Sequence, residues 1–389
     1  MTRTMAFLLF FGIVLTIYLL GNYYVFARGM QALPEGSSLK TPFIWIFWML
    51  AATYIAGRIL EKIYLGTVSD VLIWTGSFWL AALLYFFLAV LLFDLFRLIH
   101  HFLPFYPAFI TGNMDKTRYL LFTGTIVTVA FLITGGFINA RNPVVRKMDI
   151  QIDSKQQGER DQIKAVLLSD IHLGTVIGNG HLRHIIGQVN SLNPDIILLA
   201  GDILDEDLEP LIRQNTGETL KQLKAPLGIY GIMGNHEHIG GAATAHTYLE
   251  NHGIQMIRDT VLNIEDRFYL AGRDDRDKKR FSGKARLSLE RLLHNTDMDY
   301  PVILMDHQPL ELEKAAKLGV SMQLSGHTHH GQLWPLSYIT QSVYQLSHGY
   351  RNINGMHAYV STGIGTWGPP VRIGNRPEIV QLNIKFGEK

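Results

Sequence analysis

The first 140 residues of this chain are suited to hydrocarbon rather than water. A helix needs roughly 20 predominantly apolar residues to cross the ~30 Å core of a bilayer. Four stretches qualify, at about 5–26, 42–60, 71–96 and 119–138. The third is long enough to tilt. Trp45, Trp48, Trp74 and Trp79 fall near segment ends or first turns, where interfacial aromatic belts are expected. The first stretch is too long for the apolar core of a cleaved leader and is followed by three more, so it reads as a span. Asp94 and Arg97 lie one turn apart at the end of the third span and read as residues that snorkel to the interface or pair with each other. Four spans put both termini on one side. Arg3, Arg58, Lys62, Arg141, Arg146 and Lys147 flank that side, against Arg28, Lys40, Arg97, Lys116 and Arg118 on the other. The margin is a single residue, and it points to a multi-pass protein of the cell (inner) membrane with its C-terminal part in the cytoplasm.

Charged residues make up 17% of the chain against 48% hydrophobic, and the formal net charge is +2, so no basic field argues for nucleic acid. There is no cysteine, which excludes disulfides, thiolate metal sites and a cysteine nucleophile. Composition changes after Ile138. Residues 141–162 are polar, include Asn142-Pro143, and read as a linker between a membrane region (1–140) and a folded domain (163–389). In that domain short apolar runs at 164–169, 195–200, 227–233, 268–271, 302–305, 322–324, 356–360 and 379–384 alternate with amphipathic stretches, the pattern of an α/β domain. Runs such as Ile196-Ile197-Leu198-Leu199-Ala200 suit strands covered on both faces.

Each strong polar motif follows one of those runs. Ser169-Asp170-Ile171-His172 follows the first, Gly201-Asp202 the second and Gly234-Asn235-His236-Glu237 the third. His307 follows 302–305, and Gly326-His327-Thr328-His329 follows 322–324. Ligands of open α/β sheets bind outside the carboxyl ends of the strands, so five segments are expected to bring polar groups to one edge. Two carboxylates, an asparagine carbonyl and several imidazoles form a mixed oxygen and nitrogen field that suits Mn, Fe or Zn better than Mg or Ca. Seven such groups with one shared carboxylate can build two adjacent sites. Elsewhere, His181 and His184 share a helical face and read as surface or core groups. Asp274-Asp275-Arg276 and Arg372 read either as phosphate-binding groups or as surface ion pairs.

Together these motifs resemble the calcineurin-like metallophosphoesterase superfamily over about residues 164–384. Ser325-Gly326-His327-Thr328-His329-His330-Gly331-Gln332, Ser361-Thr362-Gly363-Ile364-Gly365-Thr366 and Arg376-Pro377-Glu378-Ile379 are similar to its bacterial YkuE/YaeI-type branch, and the four spans to that branch's integral-membrane members. One position differs, since His330 stands where a glycine is common. The resemblance implies a two-sheet βαββ sandwich with helices outside, following the four-helix membrane region. It implies two divalent cations: Asp170, His172 and His329 on the first, Asn235, His307 and His327 on the second, and Asp202 bridging them. His236 is then the catalytic histidine near the scissile phosphate, and Asp275 and Arg372 are candidates for substrate binding. The expected activity is hydrolysis of a phosphodiester or pyrophosphate, soluble or lipid-linked, by metal-activated water at the bilayer. A non-catalytic metal-bound receptor or scaffold is the competing class, although a scaffold has no need of His236.

Overall fold

The structure, a computed structural model, describes residues 3–153 and 162–387. The chain divides into two compact units, Met1–Gly136 and Phe137–Lys389.

The first unit is made of long apolar helices. Arg3–Ala32, Lys40–Ile63, Thr67–Phe102 and Met114–Ala140 are each long and apolar enough to cross a membrane. They extend the expected spans by several residues, because polar ends continue a helix until Gly or Pro stops it; Pro42 sits in the first turn of the second helix, where its missing N–H costs nothing. The second and third helices pack closely through Gly57 and Gly76, since a Cβ on Gly76 would overlap the Tyr54 backbone. Their core holds Phe47, Ala51, Trp79 and Leu83. Trp79 therefore does not belong to an interfacial belt. Its indole is 7% exposed, and Nε1 donates to Asn22 Oδ1 at 3.0 Å, a partner 57 residues away that its sequence position could not reveal. Asp94 also pairs beyond its own helix: Arg28 Nη2 lies 2.7 Å from its Oδ2, nearer than Arg97 Nη2 at 3.3 Å from Oδ1.

In the second unit two six-stranded sheets face each other. The first contains β1 (Val144–Ile152), β12 (Glu378–Phe386), β2 (Gln162–Leu168), β3 (Ile196–Leu199), β4 (Ile229–Gly231) and β5 (Gln255–Met256), in that order. The second runs β10 (Gly349–Ile353), β11 (Met356–Val360), β9 (Met322–Ser325), β8 (Val302–Met305), β7 (Phe268–Gly272) and β6 (Thr260–Ile264). Alternation within each strand divides its side chains between two cores. Ala165 and Leu167 of β2 and Ile196 and Leu198 of β3 point between the sheets, where they meet Ile303 and Leu324. Val166, Leu168, Ile197 and Leu199 point outward onto Leu182, Ile185 and Val189 of helix Asn179–Ser191. On the far side, Val302 and Leu304 pack against Leu289 and Leu312. Both faces of the central strands are thus buried, which is why they read as unbroken apolar runs.

Residues 141–162 are not a linker throughout. Val144–Ile152 pairs in parallel with β12 over nine residues as the edge strand of the first sheet. Ile150 and Ile152 are buried, whereas Lys147 and Asp149 face outward; Arg146, on the same face as Ile150, is exposed and paired with the buried Glu378. An edge strand buries one face only, so its charges hid a period of two. Residues 154–161 of the expected linker lie outside the described residues.

Candidate metal centre

The polar motifs meet where strands end. Asp170 and His172 follow β2, Asp202 follows β3, and Asn235 opens the short helix Asn235–Gly240 after β4. His307 follows β8, and His327 and His329 follow β9. β2, β3 and β4 are parallel in one sheet, as are β8 and β9 in the other. The seven side chains fall into two groups. Donor atoms of Asp170, His172 and His329 lie within 4.8 Å of one another, as do those of Asp202, His307 and His327. In the first, His172 Nε2 is 3.0 Å from His329 Nε2, which is 3.5 Å from Asp170 Oδ1. In the second, Asn235 Oδ1 lies 2.9 Å from His327 Nδ1 and 3.3 Å from His307 Nε2. Asp202 Oδ2 is 3.1 Å from His307 Nε2 and 3.8 Å from His172 Nε2. One carboxylate oxygen faces both groups.

The backbone is bent to achieve this. Asp170, His172, Asp202, His327 and His329 all take positive φ, between 45° and 71°. Such residues cost of order 1–3 kcal/mol each and persist where surrounding structure holds them. Asp170 N–H donates to Gly201 O and His172 N–H to Asp202 O, both at 3.0 Å. Two motif glycines are required by contact: a Cβ on Gly326 would overlap Asp170 Oδ2, and one on Gly234 would overlap Asp202 Oδ1.

A second layer aims the first. His307 Nδ1 donates to Ala200 O at 2.8 Å, which turns the Nε2 lone pair toward Asp202 and Asn235. His327 N–H donates to both Asp170 oxygens, at 2.9 and 3.1 Å, and His236 N–H to Asp202 Oδ1 at 2.9 Å. Glu237 accepts from the amides of Asp202, Leu204 and Gly234 at 3.1, 2.8 and 2.7 Å. Reading the sequence left Glu237 without a role, although a glutamate three residues after the N-cap is the signal of a capping box.

These residues suit a divalent cation. With His307 neutral, its Nε2, Asp202 Oδ2 and Asn235 Oδ1 are three acceptors converging with no donor among them. The protein alone resolves this with a proton: burial disfavours a charged His307, but Asp202 and Asp170 lift its pKa well above the ordinary histidine value. His172 and His327 are pushed down by burial to about 4 and about 3, so their lone pairs are free at neutral pH.

Residues 163–331 match the family model for calcineurin-like phosphoesterases. Metallophosphoesterase F40B5.2 of Caenorhabditis elegans is 30% identical over 345 residues, which are 83% of this chain and 69% of that protein. The chain belongs to the calcineurin-like metallophosphoesterases. A Danio rerio relative, named a transmembrane protein with metallophosphoesterase domain, is 33% identical over 67% of this chain. The match spans 62% of that relative's own length. Bacillus subtilis metallophosphoesterase YkuE is 30% identical over 58% of this chain and 80% of its own. The chain thus combines a calcineurin-like phosphoesterase domain with four helices able to cross a membrane.

Around the centre of this metallophosphoesterase, His236 stands with its ring 4.6 Å from that of His172 and Nδ1 3.2 Å from Asp205 Oδ1. Burial opposes its charge, but Asp202 and Asp205 raise its pKa to about 9. Its donors, those of His172 and those of Asp202 also lie within 4.8 Å of one another. Asp275 and Arg372 do not form surface ion pairs; both are fully buried. Gln308 Nε2 donates to both Asp275 oxygens at 3.1 Å. The Arg372 guanidinium donates to the carbonyls of Thr362, Gly363 and Gly365, to Asn375 Oδ1 and to His329 Nδ1. Its fork is therefore occupied by the protein itself, behind a candidate ligand. His330 takes φ 46°, the region a glycine enters freely, and its ring packs on His348 with centroids 3.6 Å apart. His181 is buried on helix Asn179–Ser191, away from both groups of donors.

Proposed function

We propose that the protein hydrolyses a phosphodiester or pyrophosphate carried on a membrane lipid, at a centre of two divalent cations. Asp170, His172 and His329 would hold one cation and Asn235, His307 and His327 the other, with Asp202 available to both groups. The observation that carries this reading is the single Asp202 oxygen facing both groups of donors. Oxygen and nitrogen ligands in this mixture favour Mn, Fe or Zn. When bound, a pair of such cations supplies charge that polarises a phosphoryl group and acidifies a water. The chain's own residues do the rest. His236 holds a proton beside the donors of both groups and passes it to the leaving oxygen, and Asp205 fixes its ring. Glu237, through three backbone amides, keeps the Asp202 turn and the Asn235 helix in register.

A lipid-linked substrate is supported by the rim of the site. Helix Ser337–Val343 buries none of its residues, and Tyr338, Ile339 and Val343 are 64%, 59% and 67% exposed. Trp367, 57% exposed, sits 6.0 Å from His236, and Gln332 clasps its backbone to the loop that follows His329. Exposed apolar surface of this kind marks lipid or partner contact, and tryptophan and tyrosine favour the interface. The domain is proposed to face the cytoplasm, which protease accessibility in oriented vesicles decides.

The full chain in detergent is assayed on a chromogenic phosphodiester and on the matching monoester, with chelator and with added Mn²⁺. The expected result is diester hydrolysis that the chelator abolishes and Mn²⁺ restores. Folded, metal-loaded protein that cleaves neither compound would overturn the reading in favour of a metal-bound receptor.

A further inference from the structure

The helices of the first unit border an open cleft of about 1710 Å³. Its walls extend from Thr75 to Arg97 on the third helix and from Met114 to Thr134 on the fourth. At 1.5 Å per residue each wall is about 30 Å long, the depth of the hydrocarbon core. Aromatic and aliphatic side chains line most of it, among them Phe43, Phe78, Phe86 and Phe122. A cleft of this size lined by hydrocarbon is suited to an apolar ligand.

One end of the cleft is basic. Arg28 from the first helix, Lys40 from the second, Arg97 from the third and Arg118 from the fourth all line it. They belong to four different helices, and each lies near the same end of the bundle: the end of the first and third helices and the start of the second and fourth. The carboxylates there are Glu35, Asp94 and Asp115. Asp94 is shared by two guanidinium groups, Arg28 at 2.7 Å and Arg97 at 3.3 Å, and also accepts from Tyr24 Oη at 2.6 Å. Arg118 lies 3.4 Å from Asp115. Among the described residues Lys40 has no carboxylate within ion-pair distance. Four cations against three carboxylates leave an excess of positive charge at the head of an apolar channel. Charged groups inside a membrane region are costly unless they serve a ligand or a partner. Basic pockets between spans are suited to anionic lipid headgroups.

We propose that this cleft binds one membrane lipid with an anionic phosphate headgroup. The phosphate lies among Arg28, Lys40, Arg97 and Arg118, and the chains lie along the aromatic wall formed by Phe43 and Phe122. Asp94 keeps two of the guanidinium groups at the mouth. The site shares no residue with the metal centre and does not depend on the reading of that centre.

The test uses the full chain, equilibrated with mixed micelles of phosphatidylglycerol and phosphatidylcholine and examined by native mass spectrometry. The expected result is one retained phosphatidylglycerol in preference to phosphatidylcholine. Lys40→Gln should weaken retention about five-fold, and Lys40→Gln with Arg97→Gln by that factor again. Ala82→Trp, which places an indole in the cleft, should displace the lipid with the basic residues intact. Among the described residues Lys40 makes no ion pair to lose, so its single variant remains informative where the double variant fails to fold. Equal retention of the two lipids, or unchanged phosphatidylglycerol retention in Lys40→Gln, overturns the proposal. Hydrolysis of a soluble diester should be unchanged in Lys40→Gln.

Discussion

Arg372 Nη2 lies 3.1 Å from His329 Nδ1, and because a guanidinium can only donate, that nitrogen accepts and the neutral ring carries its proton on Nε2, facing Asp170 and His172. The same guanidinium ties down the carbonyls of Thr362, Gly363 and Gly365. Arg372→Ala would leave several buried acceptors unpaired at about 1–3 kcal/mol each, enough to lower the melting temperature clearly. Arg372→Lys keeps the charge but cannot reproduce the fork, so it should recover little. The distinguishing readout is metal content of the folded fraction. In Arg372→Ala the ring is free to place its proton on Nδ1 and turn the Nε2 lone pair toward a cation, so folded protein should stay loaded; a fall in metal content would show that Arg372 positions His329 for the cation.

Asp202 and His236 should separate cleanly under substitution. Asp202→Ala removes the oxygen that both groups of donors share, so cation binding and turnover should be lost together. His236→Ala removes a proton donor and should keep both cations while kcat falls about 10²–10⁴-fold. Elemental analysis alongside kinetics checks the pair. A fully active Asp202→Ala would end the dinuclear reading, and loss of one cation from His236→Ala would make that histidine a ligand instead.

The exposed rim makes a prediction about substrate. Ile339→Ser with Val343→Ser changes two side chains that are more than half exposed on a helix with nothing buried, so folding should be unaffected. Cleavage of a lipid-linked diester in mixed micelles should drop several-fold through KM, because apolar contact is lost, while a small soluble diester is cleaved as before. A matching loss on both substrates would place the helix in the catalytic machinery and remove the support for a lipid.

What the sequence disclosed follows from where each residue sits. The ends of β8 and β11 could be read directly at Val302, Met305, Met356 and Val360, because β8 is apolar throughout and β11 is apolar but for His357. β1 escaped because Arg146, Lys147 and Asp149 dilute a period of two on an edge, and β5 because two residues carry no period. Asp170, His172, Asp202, Asn235, His307, His327 and His329 could be expected to come together because each follows an apolar run, and strand ends converge. Arg372 and Asp275 were misplaced relative to solvent for the opposite reason: a charged residue in a loop shows its chemistry but not which way the loop faces. The same limit applied to Trp79, whose hydrogen-bond partner lies on another helix.

Asp274 should set part of the acid limit of stability. It is fully buried between His238 Nε2 at 2.7 Å, Arg258 Nη2 at 3.0 Å and Lys278 Nζ at 3.0 Å. Burial alone would raise its pKa, but the hydrogen bond from His238 and the charges of Arg258 and Lys278 hold it well below the usual carboxylate range. An unfolded aspartate titrates near ~3.9, so the folded value is the lower of the two. The stabilisation is then fully present above about pH 5 and drains away as the pH falls through 4 toward the folded value. Asp274→Asn should therefore melt lower than the parent at pH 7, and the gap should narrow steadily between pH 5 and pH 3. Melting curves taken with chelator present, so that cation release does not contribute, measure it. A gap that stays constant across that range would show that Asp274 contributes packing and not charge.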